Sequence, residues 1–455
     1  MLCPALRFAI LWRHVAGDAV NDWVRWLAIE IAVATTTLAF FGEAWGSGFQ
    51  IRENSAAALG NAFAGAATSS EDPSIIANNP AGMIGLSGNQ VSGDIGIIIP
   101  SAVFSGMGLT AARQPISGGN GGDAVGAQPV PAAYGFYDAS PDLKVGLALT
   151  APFGLQTQYQ SDWVGRYQAI RSDIATININ PNVAYRVSDW FSIGGGPAIQ
   201  HAGAEFTNAI NSTTVVHLAN PSLPAGLTLP DGLAKVTGAS WSVGYTVGAL
   251  VEISAGTRLG ASYRSQVSHR IEGTAEFTVP APLAVSPQFR NTPARADLKT
   301  PDIVSLAASH ELPPDITLLA EVQWTNWRVV KTLQIERSDG SILSSQPEQW
   351  HGTWFGSIGA TWRPDPNWTF RGGLAFDPTP VRDQFRTARL PDSDRYWLAF
   401  GLGYSWTPDL RFDAAYVHIF SPNPLINEAS QMGDLLVGQY SNHLDIVSLS
   451  ATLRF

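Results

Sequence analysis

Strict alternation of apolar and polar residues is the feature that most constrains how this chain folds. In residues 241–253 every second residue is apolar, while those between are mostly small or polar. A period of two places the apolar side chains on one face of a β-strand. The pattern recurs in residues 354–362, 396–406 and 412–420. The sequence therefore predicts an all-β fold whose strands each have one apolar face.

Aromatic residues at both ends of these apolar faces indicate the surroundings of the strands. Trp354 and Trp362 bound one face, and Tyr396 and Trp406 bound another. Rings in these positions are typical of the two aromatic girdles of a membrane barrel, whereas soluble sandwiches seldom show them. Charged residues make up 14% of the chain, against a usual share of about 25%. We therefore predict a multi-pass transmembrane β-barrel in the outer membrane of a Gram-negative bacterium, surrounded by outer-membrane lipid and lipopolysaccharide.

Short and long connections alternate along the chain. The short ones are rich in turn-forming residues and lie at 140–142, 188–190, 254–257, 312–315, 364–367 and 407–409. The long ones suit outer loops and lie near 101–128, 151–168, 207–238, 278–296, 325–349, 377–394 and 421–441. The intervening segments give an antiparallel barrel of about 14 strands, an even number that leaves both ends in the periplasm.

The last strand carries a signal of its own. Residues 447–455 alternate strictly, and the chain stops at Phe455. A closing strand with a terminal aromatic residue resembles the signal read by the barrel assembly machinery. That machinery is the partner we expect during biogenesis.

The N-terminal part of the chain differs from the rest. Residues 1–46, which contain Cys3, read as a cleaved targeting segment with a positive flank and an apolar run at 31–41. Residues 47–88 lack long alternation but carry repeated apolar anchors. They predict an N-terminal hatch inside the lumen, with a disordered periplasmic tail as the alternative. The barrel itself is predicted at residues 89–455, with its first strand at about 89–99.

Composition and motifs disfavour two classes of function. The net charge of −10 and the absence of any Lys/Arg run argue against nucleic acid binding. The chain has no nucleophile elbow and no histidine pair at metal-ligand spacing, so we expect neither an enzyme nor a metal or cofactor.

Several motifs carry a family resemblance. They are Ser47–Ile51, residues 57–65, Asn79-Pro80-Ala81, residues 367–377 and residues 390–397. As an ordered set they resemble the FadL family of outer-membrane long-chain fatty acid transporters, which includes proteins for toluene and related hydrocarbons. The resemblance implies a 14-stranded barrel with a hatch, in which ligand is captured between outer loops and passed to an apolar pocket.

In that family a kink in the third strand opens the barrel wall sideways. Here the third strand is predicted at Leu143 to Thr150, followed by Ala151-Pro152-Phe153-Gly154. Proline removes a hydrogen-bond donor from the sheet and glycine favours a bulge, so a local break near Phe153 is physically reasonable.

The candidate ligand-binding or gating residues come from the same resemblance. Phe49, near the mature N-terminus, is a hatch residue that either contacts ligand or holds the hatch to the wall. Asn79, Pro80, Ala81 and Phe153 are the further candidates at the hatch and the kink.

One departure concerns charge. The resemblance places Asn208 and Gln334 where the fatty acid transporters pair the substrate carboxylate with basic residues. Arg328, Lys331 and Arg337 lie close in sequence to the second position and could substitute. The predicted function is uptake of long-chain fatty acids or similar hydrophobic molecules by hatch-gated passive diffusion. The alternatives are an aromatic hydrocarbon channel and, less favoured, a non-selective porin or surface adhesin.

Overall fold

The computed structural model describes residues 48–224 and 226–455. The predicted targeting segment 1–46 and Ser47 lie outside the described residues. Within them, no helix combines the length and apolar character needed to cross a membrane.

Among the described residues, twenty strand segments dominate the fold, and they are labelled β1 to β20 in chain order. They are β1 (Gln90–Leu109), β2 (Gln128–Asp138), β3 (Leu143–Thr150), β4 (Gly154–Gln158), β5 (Arg171–Ser188), β6 (Phe191–Ile210), β7 (Gly232–Ser254), β8 (Thr257–Arg264), β9 (Val267–Thr278), β10 (Thr292–Thr300), β11 (Ile303–Leu312), β12 (Ile316–Thr325), β13 (Thr332–Arg337), β14 (Ile342–Pro347), β15 (Thr353–Trp362), β16 (Trp368–Asp377), β17 (Arg395–Ser405), β18 (Leu410–Phe420), β19 (Leu425–Ala429) and β20 (Leu435–Arg454).

These segments form one closed antiparallel barrel. Six barrel strands consist of two successive segments, namely β3/β4, β8/β9, β10/β11, β12/β13, β14/β15 and β18/β19, so the wall has 14 strands. The last strand closes on the first, with Gln90 opposite Arg454 and Leu109 opposite Leu435. The predicted fold class, an all-β antiparallel barrel, is confirmed.

The outside of the barrel is apolar. On β15, Trp354 and Ile358 are each 62% exposed and Trp362 is 49% exposed. Exposed apolar area on this scale would be unstable in water, but it matches the hydrocarbon of a bilayer. The alternation in the sequence is therefore the alternation between lipid and lumen.

Some strands are longer than their apolar pattern. The first strand was predicted to end near Ile99, and residues 101–128 were assigned to a loop, but β1 continues to Leu109. This prediction was wrong for residues 101–109, because β20 runs opposite β1 over the whole length and keeps its backbone groups hydrogen-bonded. Backbone pairing thus continues after the lipid-facing pattern stops.

Residues 48–88 pack against inward-facing side chains and glycines of the wall. They contain α1 (Ala56–Gly60), α2 (Ile75–Asn78) and a 3₁₀ helix (Pro80–Gly85). The amide Nδ2 of Asn61 donates to Thr361 Oγ1 at 3.0 Å. A Cβ placed at Gly401 would lie 2.7 Å from the Cα of Gly60, so the backbones meet there without room for a side chain. The outer loops add α3 (Ser212–Ala219), α4 (Ala281–Ala284) and 3₁₀ turns at Pro287–Phe289, Trp327–Val329 and Asp383–Phe385.

Candidate functional site

A group of buried apolar side chains lies inside the barrel above residues 55–88, and we call it the luminal cluster. Its members come from the N-terminal segment, the strand walls and the outer loops: Phe49, Phe153, Leu155, Ile174, Phe206, Ile271, Leu298, Ile303, Trp327, Trp350, Val381 and Leu390. Since it gathers side chains from parts of the chain more than 300 residues apart, it exists only in the folded barrel.

Phe49 is surrounded by three other rings of this cluster. Its ring centroid lies 5.8 Å from that of Phe153, 4.9 Å from that of Trp327 and 5.7 Å from that of Trp350. Edge-to-face and tilted contacts at these distances are favourable for aromatic pairs. Gly48 has a positive φ of 61°, and a Cβ there would lie 2.9 Å from the Trp350 ring. Glycine at position 48 is what lets the chain bring Phe49 among these rings.

The barrel wall is interrupted beside Phe153. β3 pairs with both β2 and β5, but β4 pairs with β5 and, in the described residues, no ladder joins it to β2. The chain leaves the β-strand at Ala151-Pro152, as the sequence predicted for a break at this point. Across the gap, Gln128 donates a side-chain hydrogen bond to Gln156.

The N-terminal segment hydrogen-bonds to the interrupted strand through its backbone. Gly154 N donates to Phe49 O at 2.8 Å, and Ile51 N donates to Pro152 O at 2.9 Å. These bonds flank an antiparallel bridge between Gln50 and Phe153. Any displacement of residues 49–51 would therefore break contacts at the wall gap and in the luminal cluster together.

Polar contacts also hold the start of the segment. Asp392 Oδ2 accepts from Gly48 N at 3.1 Å, and Gln50 Oε1 accepts from Thr325 Oγ1 at 3.3 Å. The guanidinium of Arg52 lies 4.2 Å from the centroid of the Phe355 ring and 3.5 Å from an oxygen of Asp377. Residues 48–52 are thus fixed by a small number of specific contacts.

Asn79, Pro80 and Ala81 lie apart from the luminal cluster. Asn79 is fully buried, and its Nδ2 donates to Ala67 O at 2.8 Å and to Ala249 O at 2.9 Å, while its Oδ1 accepts from Ala81 N. A Cβ at Gly248 would lie 1.9 Å from Asn79 Oδ1. These contacts join the N-terminal segment to the wall; they bring none of the three residues next to Phe49.

Asn208 and Gln334 stand at the positions where the resemblance calls for basic residues, and both side chains are hydrogen-bonded within the protein. Asn208 accepts a hydrogen bond from Arg389 at 3.4 Å. Gln334 donates to Glu336 Oε1 at 2.7 Å. Arg328 and Lys331 are exposed.

Trp327, Trp350 and Arg389 were missed by sequence reasoning. Trp327 and Arg389 lie in stretches read as long outer loops and Trp350 directly follows one, and no periodicity there marks a residue that folds back into the lumen. One tryptophan within a predicted polar loop and another directly after it were the available signal.

A second apolar group lies between outer loops, and we call it the outer cluster. Its buried members are Ile210 at the end of β6, Val215 in α3 and Leu283 in α4. The half-buried side chains of Phe277 and Phe289 pack against them. It is therefore a second apolar group, separate in its members from the luminal cluster.

Comparisons with known proteins agree with this architecture. The family described as outer membrane protein transport protein (OMPP1/FadL/TodX) matches residues 37–455. A long-chain fatty acid transport protein of Salmonella typhi is 27% identical over 418 residues, covering 88% of this chain and 92% of that protein. A putative outer membrane protein of Neisseria meningitidis serogroup B is 29% identical over 445 residues, covering 90% and 95%.

Solved structures show the same fold. A Pseudomonas aeruginosa FadL homologue superimposes with a TM-score of 0.83 at 24% identity, covering 90% of this chain and 100% of that one. The P. putida toluene transporter TodX gives a TM-score of 0.63 at 17% identity, covering 89% and 99%. Because the family match spans the whole barrel together with residues 48–88, the chain belongs to the OMPP1/FadL/TodX family of outer membrane transport proteins.

Proposed function

We propose that this protein takes up long-chain fatty acids or similar hydrophobic small molecules by passive diffusion, with residues 47–88 acting as the hatch. The observation that carries the proposal is the position of Phe49. Its ring fills the luminal cluster while its own backbone is hydrogen-bonded beside the gap in the wall. One movement of residues 48–51 would therefore change both the binding site and the gap.

The outer and luminal clusters support a two-step route. A poorly soluble molecule gains about 0.8 kcal/mol per CH₂ group removed from water, so apolar side chains suffice to collect it. The outer cluster would bind first and the luminal cluster second. Release then requires a state in which the luminal cluster binds more weakly, because equal affinity for both states would shift nothing. In this proposal, displacement of Phe49 creates that state.

Uptake of aromatic hydrocarbons is the second candidate. The luminal cluster contains several rings, and neutral side chains stand at positions 208 and 334. Among the relatives, the Salmonella protein carries a fatty acid name and the P. putida structure a toluene name. Both names fit a site that binds mainly by apolar contact.

Growth of a deletion strain separates these substrates. A strain lacking the gene is expected to grow poorly on oleate and to recover with the wild-type gene. A defect on toluene with normal growth on oleate would favour the second candidate. Normal growth of the deletion strain on both carbon sources would contradict both.

A reversible cross-link tests the movement of the hatch. Gln50 and Phe153 face each other as a pair whose flanking residues make the hydrogen bonds. Such pairs have the short Cα separation that a disulfide requires. In a Cys3→Ala background, the double variant Gln50→Cys/Phe153→Cys is expected to lose oleate uptake when oxidised and to regain it with a reducing agent.

The two single-cysteine variants are the matched controls. Each is expected to show the same uptake with and without the reducing agent. Undiminished uptake by the fully oxidised double variant would show that residues 50 and 153 need not separate for transport.

A further inference from the structure

Trp327 lies among the rings of the luminal cluster. Its side chain is fully buried, and its ring centroid lies 4.9 Å from that of Phe49, 6.2 Å from that of Phe153 and 5.3 Å from that of Trp350. Of the three rings that contact Phe49, the ring of Trp327 is the nearest. A molecule that took the place of the Phe49 ring would therefore lie against Trp327.

The indole N–H of Trp327 has no hydrogen-bond partner within the protein. Among residues 48–224 and 226–455, no atom accepts a hydrogen bond from its Nε1. Buried tryptophans usually find a partner for this group. A buried donor without an acceptor costs free energy, because the bonds it made with water are not replaced. A bound molecule that supplied an acceptor would remove this cost.

Trp350 shows the contrast within the same cluster. Its Nε1 donates to Glu348 Oε2 at 3.0 Å. Burial raises the pKa of Glu348 to about 8, so this carboxyl group is mostly neutral at pH 7. The N–H of Trp350 is thus already bonded within the protein, whereas that of Trp327 is left for a ligand.

The loop that carries Trp327 is anchored independently of Phe49. Val330 N donates to Trp327 O at 2.9 Å, and Asn326 N donates to Asp302 O at 3.0 Å. The side-chain amide of Asn326 also donates to Asp302 Oδ1 at 2.9 Å. None of these bonds involves residues 48–51. The indole of Trp327 would therefore keep its place if the Phe49 ring moved away.

The chemistry of the indole group limits what it can recognise. It is an uncharged donor and cannot accept a hydrogen bond, so its partner must be an acceptor. A neutral oxygen also has a smaller desolvation cost than a charged one on entering a site walled by apolar rings.

We propose that the Trp327 N–H donates a hydrogen bond to a neutral oxygen of the bound molecule. The luminal cluster then selects uncharged apolar molecules that carry a carbonyl, ester or hydroxyl oxygen over plain hydrocarbons. The proposal rests on the transport function above and names a substrate class for its luminal site.

Equilibrium binding of two matched probes in detergent tests this. Methyl tridecyl ketone and the alkene in which a methylene group replaces its oxygen have nearly the same shape, but only the ketone carries an acceptor. Trp327→Phe keeps an aromatic ring and removes the N–H. It is expected to weaken ketone binding about fivefold more than alkene binding, the usual effect of losing one hydrogen bond.

Infrared spectroscopy adds a readout that a purely structural role of Trp327 would not move. The carbonyl stretching band of the ketone bound to the wild-type protein is expected at a lower frequency than in a hydrocarbon solvent, because a hydrogen bond weakens the C=O bond. In Trp327→Phe the band is expected to return towards its frequency in the solvent.

Trp397→Phe is the matched control. Trp397 is also buried with an unpartnered Nε1, but it belongs to a separate apolar cluster with Leu59 and Phe355. Its replacement is expected to change neither the ratio of the two affinities nor the carbonyl band.

An unchanged ratio of affinities in Trp327→Phe, or a wild-type carbonyl band at the solvent frequency, would overturn the role of Trp327 while leaving hydrophobic uptake intact. A folded wild-type protein that binds neither probe nor oleate would instead overturn the proposed function.

Discussion

At the scale of single residues, the lumen contains a charge network that ties the N-terminal segment to the wall. Glu71 pairs with Arg363 and, at 2.6 Å, with Arg371, whose side chain is fully buried. Arg371 also pairs with Asp413 at 2.8 Å. Burial by itself would raise the pKa of Glu71, but the nearby guanidinium groups hold it well below its usual value of 4.5.

Glu71→Gln is expected to lower the free energy of unfolding by about 3 kcal/mol at pH 7, because it leaves buried Arg371 with one anionic partner. The folded pKa is depressed, so the contribution of Glu71 is complete above pH 4.5 and is lost as the pH falls below that value. Thermal unfolding in detergent at several pH values measures the difference between wild type and variant.

Glu311→Gln is the matched control, since Glu311 is 59% exposed and lies 3.8 Å from Arg258. It is expected to change stability little. A loss for Glu71→Gln that stayed constant down to pH 3 would show that its charge is not what stabilises the fold.

At the scale of elements, glycines on the inner wall let residues 55–88 lie close to the strands. A Cβ at Gly373 on β16 would meet the segment at Asn61, and a Cβ at Gly248 on β7 would meet it at Asn79. A Cβ at Gly373 would lie 2.2 Å from Asn61 O. The backbone carbonyl of Asn61 cannot move aside as the end of a flexible side chain can. The close contact between the segment and the strand therefore depends on the absence of a side chain at Gly373.

Gly373→Ala is therefore expected to displace the segment around Asn61 and to destabilise the protein by about 1 to 3 kcal/mol through overpacking. Limited proteolysis should cut within residues 48–88 faster than in the wild type, while the barrel stays intact. Gly356→Ala on the neighbouring strand is the control, because a Cβ there meets nothing within 4 Å. Identical cleavage patterns for the two variants would argue against close packing at Gly373.

At the scale of the whole molecule, lipid contact defines which face of each strand is apolar. Ile358 lies midway between Trp354 and Trp362 on the outward face of β15, and it is 62% exposed. If the two tryptophans mark the membrane interfaces, Ile358 lies near the centre of the bilayer.

Ile358→Lys is expected to cost about 2 to 4 kcal/mol, the cost of a cation near the bilayer centre. Less folded protein should reach the outer membrane fraction, as measured by heat-dependent gel mobility. Ser341→Lys in an exposed turn adds the same charge and should assemble normally. Equal assembly of both variants would mean that residue 358 does not face hydrocarbon.

The sequence by itself determined the barrel, because side-chain alternation is local and needs no knowledge of strand partners. It predicted the all-β class, the turns and the break after Thr150, since proline and glycine act on the backbone where they stand. It also singled out Phe49, Phe153 and Asn79, although their roles stay predictions.

Tertiary structure alone decided which loop residues enter the lumen. Trp327, Trp350 and Arg389 reach the luminal cluster because closure of the barrel brings distant loops over one opening. Arg328 and Lys331, chosen by nearness in sequence, lie outside it. The number of residues between two positions does not give the distance between them across a closed barrel. Arg389, which contacts Asn208, could therefore be identified only from the folded structure.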